Sequence, residues 1–368
     1  MTSTHIICAT LAWTLLPASP AASGFVEPLQ EGVQKPDTEK VDQPRPQVPE
    51  SIDSINQDFE RELRGLELKR LERLARLAAE QGKEEANKTY EAYFRLAIGS
   101  HLYREAEPIA ERVLVSANPS SRVAGMAALV NIIAEADRGA YDESLASLAA
   151  AFQRVRGGAA SGPKEPLPSA TRLLLAEAYY QRLIQADRFE IARKAMRMIQ
   201  EQAEDPAIKD YAENRMHQLD MIGIPAPPIG GTDIGGKPTR LADFKGDVVL
   251  IVFWATWYVP AAQDVAGLDR IYDSYRQRGF RVLGVNVDTA QKGSENIEMV
   301  IPNVRRFLLD YNVRWPNLIN ETGDHDYAKA YGVAELPANV LIGRDGTIIH
   351  RDLTRSNLER VVKKALGE

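Results

Sequence analysis

The chain has 368 residues, enough for more than one folded core. Its 44% hydrophobic and 26% charged residues form an ordinary globular composition, and a net charge of -6 argues against a nucleic-acid role, which needs a basic face. The single cysteine, Cys8, excludes an intrachain disulfide framework.

The apolar run from His5 to Pro17 is shorter than the ~20 residues a spanning helix needs, but it suits the central region of a secretory signal. Small residues Ala21, Ala22 and Ser23 precede Gly24, so residues 1–23 read as a signal peptide, although Met1 to Ile6 carry no Lys or Arg. Its removal leaves a mature chain with no thiol, exported to the periplasm or cell envelope. No second apolar run reaches spanning length, so the mature form has no expected membrane span. Residues 24–50, with Pro28, Pro36, Pro44, Pro46 and Pro49, bury too little to order themselves and read as a disordered Pro-rich linker.

From 51 to 222 the pattern is helical. Ile55, Phe59, Leu63, Leu66, Leu71, Leu74 and Leu77 or Ala78 recur at steps near three or four, which reads as a packed face in preference to a coiled-coil seam. Three segments begin with an aromatic and carry a small residue one turn in: Tyr103 with Ala106, Tyr141 with Ser144, and Phe189 with Ala192. Each reads as the second helix of a hairpin whose small residue admits its neighbour closely. The preceding helices are expected at 87–99, 121–136 and 169–186, with turns at Asn118-Pro119 and Asp205-Pro206 and an inserted loop from Arg156 to Pro168. The array resembles tetratricopeptide repeats, at irregular spacings of 38 and 48 residues.

After Pro225-Ala226-Pro227-Pro228, strands alternate with helices, the signature of an α/β sheet over residues 223–368. A strand is expected at 247–254, a helix at 261–279, and a parallel strand at 280–287. A further helix should start with Pro302 in its first position, strands 338–342 and 347–351 should pair about Arg344-Asp345-Gly346, and Ser356 with Glu359 should form a capping box on the last helix. Gly230-Gly231 and Gly235-Gly236 read as turns near a small hairpin.

The pieces Ile224-Pro225-Ala226-Pro227, Leu241 to Gly246, Phe253-Trp254-Ala255-Thr256-Trp257, Gly279-Phe280 to Gly284-Val285, Tyr331-Gly332-Val333 and Leu336-Pro337 come in the order of the thioredoxin superfamily. This stretch of about 145 residues resembles its exported TlpA-type branch. The expected fold is therefore a helical-hairpin, tetratricopeptide-like array followed by a thioredoxin-like α/β domain. The resemblance implies thiol-disulfide reductase chemistry at Trp-Cys-x-Pro-Cys, yet this chain reads Trp257-Tyr258-Val259-Pro260-Ala261. It further implies that Pro337 is the family's cis proline, that Asp264 holds a position often acidic in the branch, and that Val252 replaces the buried acid of thioredoxins proper.

Exchange needs an attacking thiolate and a resolving thiol, and neither Tyr258 nor Ala261 supplies one. A phenol of reference pKa about 10 is a poor nucleophile at neutral pH even at a helix N-terminus. The lack of sulfur equally excludes peroxidase chemistry of the peroxiredoxin kind. The five histidines lack ligand spacing, and Asp324-His325-Asp326 reads as a solvated loop, so no metal or cofactor is expected. The expected role is binding of a protein or peptide through the helical array, through a groove formed by Trp257, Tyr258, Pro260, Leu336 and Pro337, or through both. The alternatives are a thiol-disulfide oxidoreductase by descent and a structural envelope component.

Overall fold

The computed structural model describes residues 7–8, 51–116, 119–153, 167–291 and 296–368. Of the signal-like segment only β1, Ile7–Cys8, is described; the linker, Asn118 and residues 156–166 of the expected inserted loop lie outside the described residues.

Eight helices come first: α1 Ile52–Glu80, α2 Lys83–Gly99, α3 Tyr103–Val115, α4 Ser121–Asp137, α5 Tyr141–Gln153, α6 Ser169–Gln185, α7 Phe189–Gln202 and α8 Pro206–Asp220. α3, α5 and α7 start at the three aromatics read from the sequence. Ala106, Ser144 and Ala192, one turn in, are all fully buried, which lets the neighbouring helices close on them. Ser144 is accommodated because its hydroxyl meets the Tyr179 hydroxyl at 2.6 Å. α8 starts where Asp205 accepts from the Ala207 amide, with Pro206 at the first position.

The expectation of a packed face along all of α1 is corrected. Leu71 and Ala78 are buried, but Ile52, Ile55, Phe59, Leu63 and Leu66 are exposed, because α2 is shorter than α1 and ends at the level of Glu67. Ser100 Oγ donates to Glu67 Oε1 at that point.

The α/β part is built on a five-stranded sheet of order β6-β5-β4-β8-β9, with β4 Val248–Trp254, β5 Phe280–Asn286, β6 Asn317–Ile319, β8 Ala338–Ile342 and β9 Ile348–Arg351. β4, β5 and β6 are parallel; β8 runs antiparallel to β4, and β9 runs antiparallel to β8 in a hairpin, which returns it to the direction of β4. A small hairpin, β2 Gly230–Thr232 with β3 Pro238–Arg240, precedes the sheet, and β7 Glu335–Leu336 pairs in parallel with β1. Side chains alternate along β4 as a pleated strand requires. Val248 and Leu250 face the core with α9 Ala261–Tyr275 and α12 Arg355–Leu366, whereas Val249, Ile251 and Phe253 share the opposite core with α11 Tyr327–Ala330 and with Met221 at the end of α8.

Two helix starts differ from expectation. α10, Ile297–Asp310, begins five residues before Pro302 because Asn296 caps it by accepting from the Glu298 amide, which leaves Pro302 inside the helix. α12 is capped at Thr354, not through a Ser356/Glu359 box: Ser356 Oγ meets Thr354 Oγ1, and Glu359 instead accepts from Tyr275 and Lys363.

The helices dock on the sheet through buried charge. Arg351, at 0% exposure, donates to the Gln218 carbonyl at 3.2 Å and the Tyr331 carbonyl at 3.3 Å. Gln218 Nε2 donates to the Gly332 carbonyl at 2.8 Å, and Arg215 lies between the rings of Tyr180 and Tyr211 while pairing with Glu177 at 2.8 Å. On the surface of this junction Asp187 accepts from Lys364 at 3.0 Å and faces His350 Nε2 at 3.1 Å.

Candidate functional site

β4 delivers Trp254 to the C-terminal end of the sheet, and the next six residues make the turn into α9. The turn is pinned by a carboxylate: Asp288, just beyond β5, accepts from the Thr256 amide at 2.7 Å and from the Thr256 hydroxyl at 2.6 Å. Asp288 is itself held by its amide, which donates to Asn286 Oδ1 at 3.1 Å. A second anchor is the Trp254 indole, donating to Asn317 Oδ1 at 3.0 Å. Gly284 makes room for that bond, since a Cβ there would stand 1.8 Å from Asn317 Oδ1.

The expected groove residues divide. Trp257, Tyr258 and Leu336 belong to one apolar cluster with Ala261, Phe253 and Tyr331, so the fold brings these three together. Pro260 caps α9. The Leu336-Pro337 bond is cis, and the pairing of Phe253 with Ala338 sets Pro337 beside the end of β4. Pro337 itself is exposed.

Burial sorts the loop further. Tyr258 is 9% exposed and Ala261 3%, while Val259 between them is 89% exposed. The Trp257 indole nitrogen is buried and makes no hydrogen bond. Behind the loop Arg355 pairs with Asp264 at 2.8 Å; burial nevertheless pushes the Asp264 carboxyl up, against the lowering pull of that arginine. The loop thus presents an apolar tip, Val259, over buried aromatic rings, and the exposed Pro337 follows β7. Asp324 and His325 are exposed, in the short turn before α11.

One wall is tied to the helices. The segment from Tyr331 to Leu336, which leads into Pro337, receives Gln218 at Gly332 and Arg351 at Tyr331, and Arg215 lies 3.8 Å from Glu335. Sequence reading did not single out Asp288, Asn286, Asn317, Gln218 or Arg351. The signal for the first two was a polar-apolar alternation, Asn286-Val287-Asp288, closing a strand whose preceding residues from Val282 to Val285 are apolar or glycine; the others carry no local signal.

Residues 222–351 match the family model described as AhpC/TSA family. The chain is 31% identical over 146 residues to the thiol-disulfide oxidoreductase ResA of Bacillus thuringiensis subsp. konkukian, covering 39% of this chain and 78% of that protein. It is 29% identical over 142 residues to ResA of Geobacillus kaustophilus, covering 38% of this chain and 75% of the relative. The thioredoxin domain of a thiol-disulfide oxidoreductase from Bacteroides vulgatus superposes with a TM-score of 0.35 at 24% identity, over 39% of this chain and 97% of that one. Through its C-terminal part the chain belongs to the thioredoxin-like AhpC/TSA family, with the ResA-type thiol-disulfide oxidoreductases as its relatives.

Proposed function

We propose that this protein is a non-catalytic member of its family, a module that binds an extended polypeptide at the loop between β4 and α9. The observation that carries the reading is the pairing of a family-like loop with sulfur-free side chains: Tyr258 and Ala261 sit buried at the start of α9, beside the cis Leu336-Pro337 bond, and the only cysteine of the chain is Cys8. Without a thiolate at the helix start there is no nucleophile for exchange. The exposed Val259 and Pro337 offer an apolar contact, and the adjacent backbone can pair with an extended chain.

The proposal extends to organisation. Residues 1–23 form a signal peptide and 24–50 a linker; residues 51–222 are a tetratricopeptide-like scaffold offering a second binding surface, and 223–368 are the thioredoxin-like domain. The protein works outside the cytoplasm, in keeping with the signal-like N-terminus. Among the described residues no helix is long and apolar enough to cross a membrane.

Family membership favours one competing reading, an oxidoreductase that borrows a thiol from another chain. Insulin reduction with dithiothreitol as electron source separates the two. The chain from Gly24 onward is expected to add nothing to the reductant's own rate, whereas measurable turnover would replace the binding role by catalysis.

A further inference from the structure

The N-terminal half of α1 projects from the body with an unpartnered face. Apolar packing of α1 against α2 and α3 begins at Leu68, and the last polar ties to them are Glu67 to Ser100 and Arg64 to Glu105 at 2.5 Å. Residues 52–66 extend roughly 22 Å at 1.5 Å per residue. A free helix of that length is marginal in water. Its start is nonetheless fixed by a reciprocal box in which Ser51 and Ser54 bond each other's amides.

This projecting part carries Ile52 at 78% exposure, Ile55 at 53%, Phe59 at 69%, Leu63 at 48% and Leu66 at 62%. At 100° per residue the five lie on one side of the helix. Asp58, Glu60, Arg61 and Arg64 fall on the other, and Glu62 and the uncharged Asn56 border the stripe. The steps along the stripe are 3, 4, 4 and 3, a palindrome about Phe59.

We infer that this face is a self-association surface, on which α1 of one protomer crosses α1 of a second copy in antiparallel fashion about Phe59. A two-fold axis there sets Ile52 against the partner's Leu66 and Ile55 against the partner's Leu63, so every apolar residue of the stripe meets another. Antiparallel crossing opposes the helix dipoles, keeps the two bodies at opposite ends, and offsets each Glu62 from its copy. The stripe exposes roughly 500–600 Å² of apolar side chain per protomer, so the pair covers about 1,100 Å², at the lower edge of specific interfaces. A strongly polar partner could not cover a stripe of this kind, and an equal stripe does.

The test is sedimentation equilibrium of the full chain at micromolar concentrations, with Cys8→Ser so that added thiols are the only ones. The expected result is a monomer-dimer equilibrium whose dissociation constant rises at least about 30-fold in Phe59→Glu. Because Phe59 is exposed, that variant keeps the helical circular dichroism and melting temperature that its parent shows when diluted to monomer. Mixed Ile52→Cys and Leu66→Cys chains should cross-link under oxidation, while Ile52→Cys alone, about 21 Å from its copy, should not. A chain that stays monomeric at tens of micromolar, a dimer indifferent to Phe59→Glu, or self-cross-linking of Ile52→Cys would each overturn the inference. Dimerisation only after deletion of residues 24–50 would also overturn it, by showing that the chain's own N-terminal segment covers the stripe.

Discussion

Replacing Arg351 with Met tests whether the helices and the sheet fold as one unit. In the native protein its guanidinium is fully buried and supplies bonds to the carbonyls of Gln218, on α8, and Tyr331, on the segment leading to Pro337. It also lies 3.5 Å from the Asp352 carboxylate. Methionine fills part of the volume but donates nothing, so two buried carbonyls lose a charged donor and, among the described residues, Asp352 keeps the more distant Arg215, at 4.0 Å, as its ion-pair partner. Each charged-donor bond is worth about 1.5–3 kcal/mol, and breaking a buried charge arrangement about 3–5 kcal/mol. The loss therefore falls on the junction and not on either core. Urea unfolding reads the two parts separately, because Trp254, Trp257 and Trp315 report on the sheet while far-ultraviolet circular dichroism is dominated by α1–α8. The wild-type transitions should coincide, and those of Arg351→Met should separate and move to lower urea. Coincident transitions with a loss below about 1 kcal/mol would refute the reasoning, since so small an effect is incompatible with a buried charge that holds the junction.

Gly284→Ala drives a methyl group into Asn317 Oδ1 and should cost about 3 kcal/mol or more in chemical denaturation; an unchanged midpoint would contradict the placement of Asn317 against Trp254. Asp187 gives the junction a defined acid response. Burial works against its charge, but Lys364 and His350 outweigh it and hold the carboxyl below the ordinary range. Its contribution is thus present above about pH 4 and lost as pH falls through the lowered value. The stability gap between wild type and Asp187→Asn should accordingly hold from pH 7 to 5 and shrink towards pH 3; a gap that widens in acid would rule out this role. Finally, the double variant Tyr258→Cys/Ala261→Cys restores two thiols at the start of α9 and should form a disulfide and reduce insulin. Failure of the pair to oxidise would mean that the loop no longer has the family's geometry.

The parts of the fold that sequence made readable were those in which local chemistry and packing agree. The aromatics at Tyr103, Tyr141 and Phe189 mark helix starts because ring, turn and small residue work within one turn of helix. The α/β order was legible for the same reason, one motif lying next to its supporting strand, and Trp257, Tyr258 and Leu336 share one apolar cluster. Periodicity in α1 showed that a face existed, but the length of α2 decided how much of it was covered. At α10 the side-chain cap of Asn296 prevailed over the preference of Pro302 for a first position. Arg351 reads in sequence as a charged strand end; it is buried because Gln218, 133 residues away, meets it. Asp187 and His350 are likewise 163 residues apart, and spacing carries no trace of such a pair.

The most direct test of a sulfur-free binding loop is the equilibrium affinity of the chain from Gly24 onward for a reduced, carboxymethylated unfolded protein, followed by Trp257 fluorescence or by anisotropy of the labelled ligand. Val259→Glu places a charge at the 89% exposed tip of the loop without touching the core. Saturable binding weakened about tenfold or more by that substitution is the predicted result. Binding equal in both proteins, or absent from both, would contradict it.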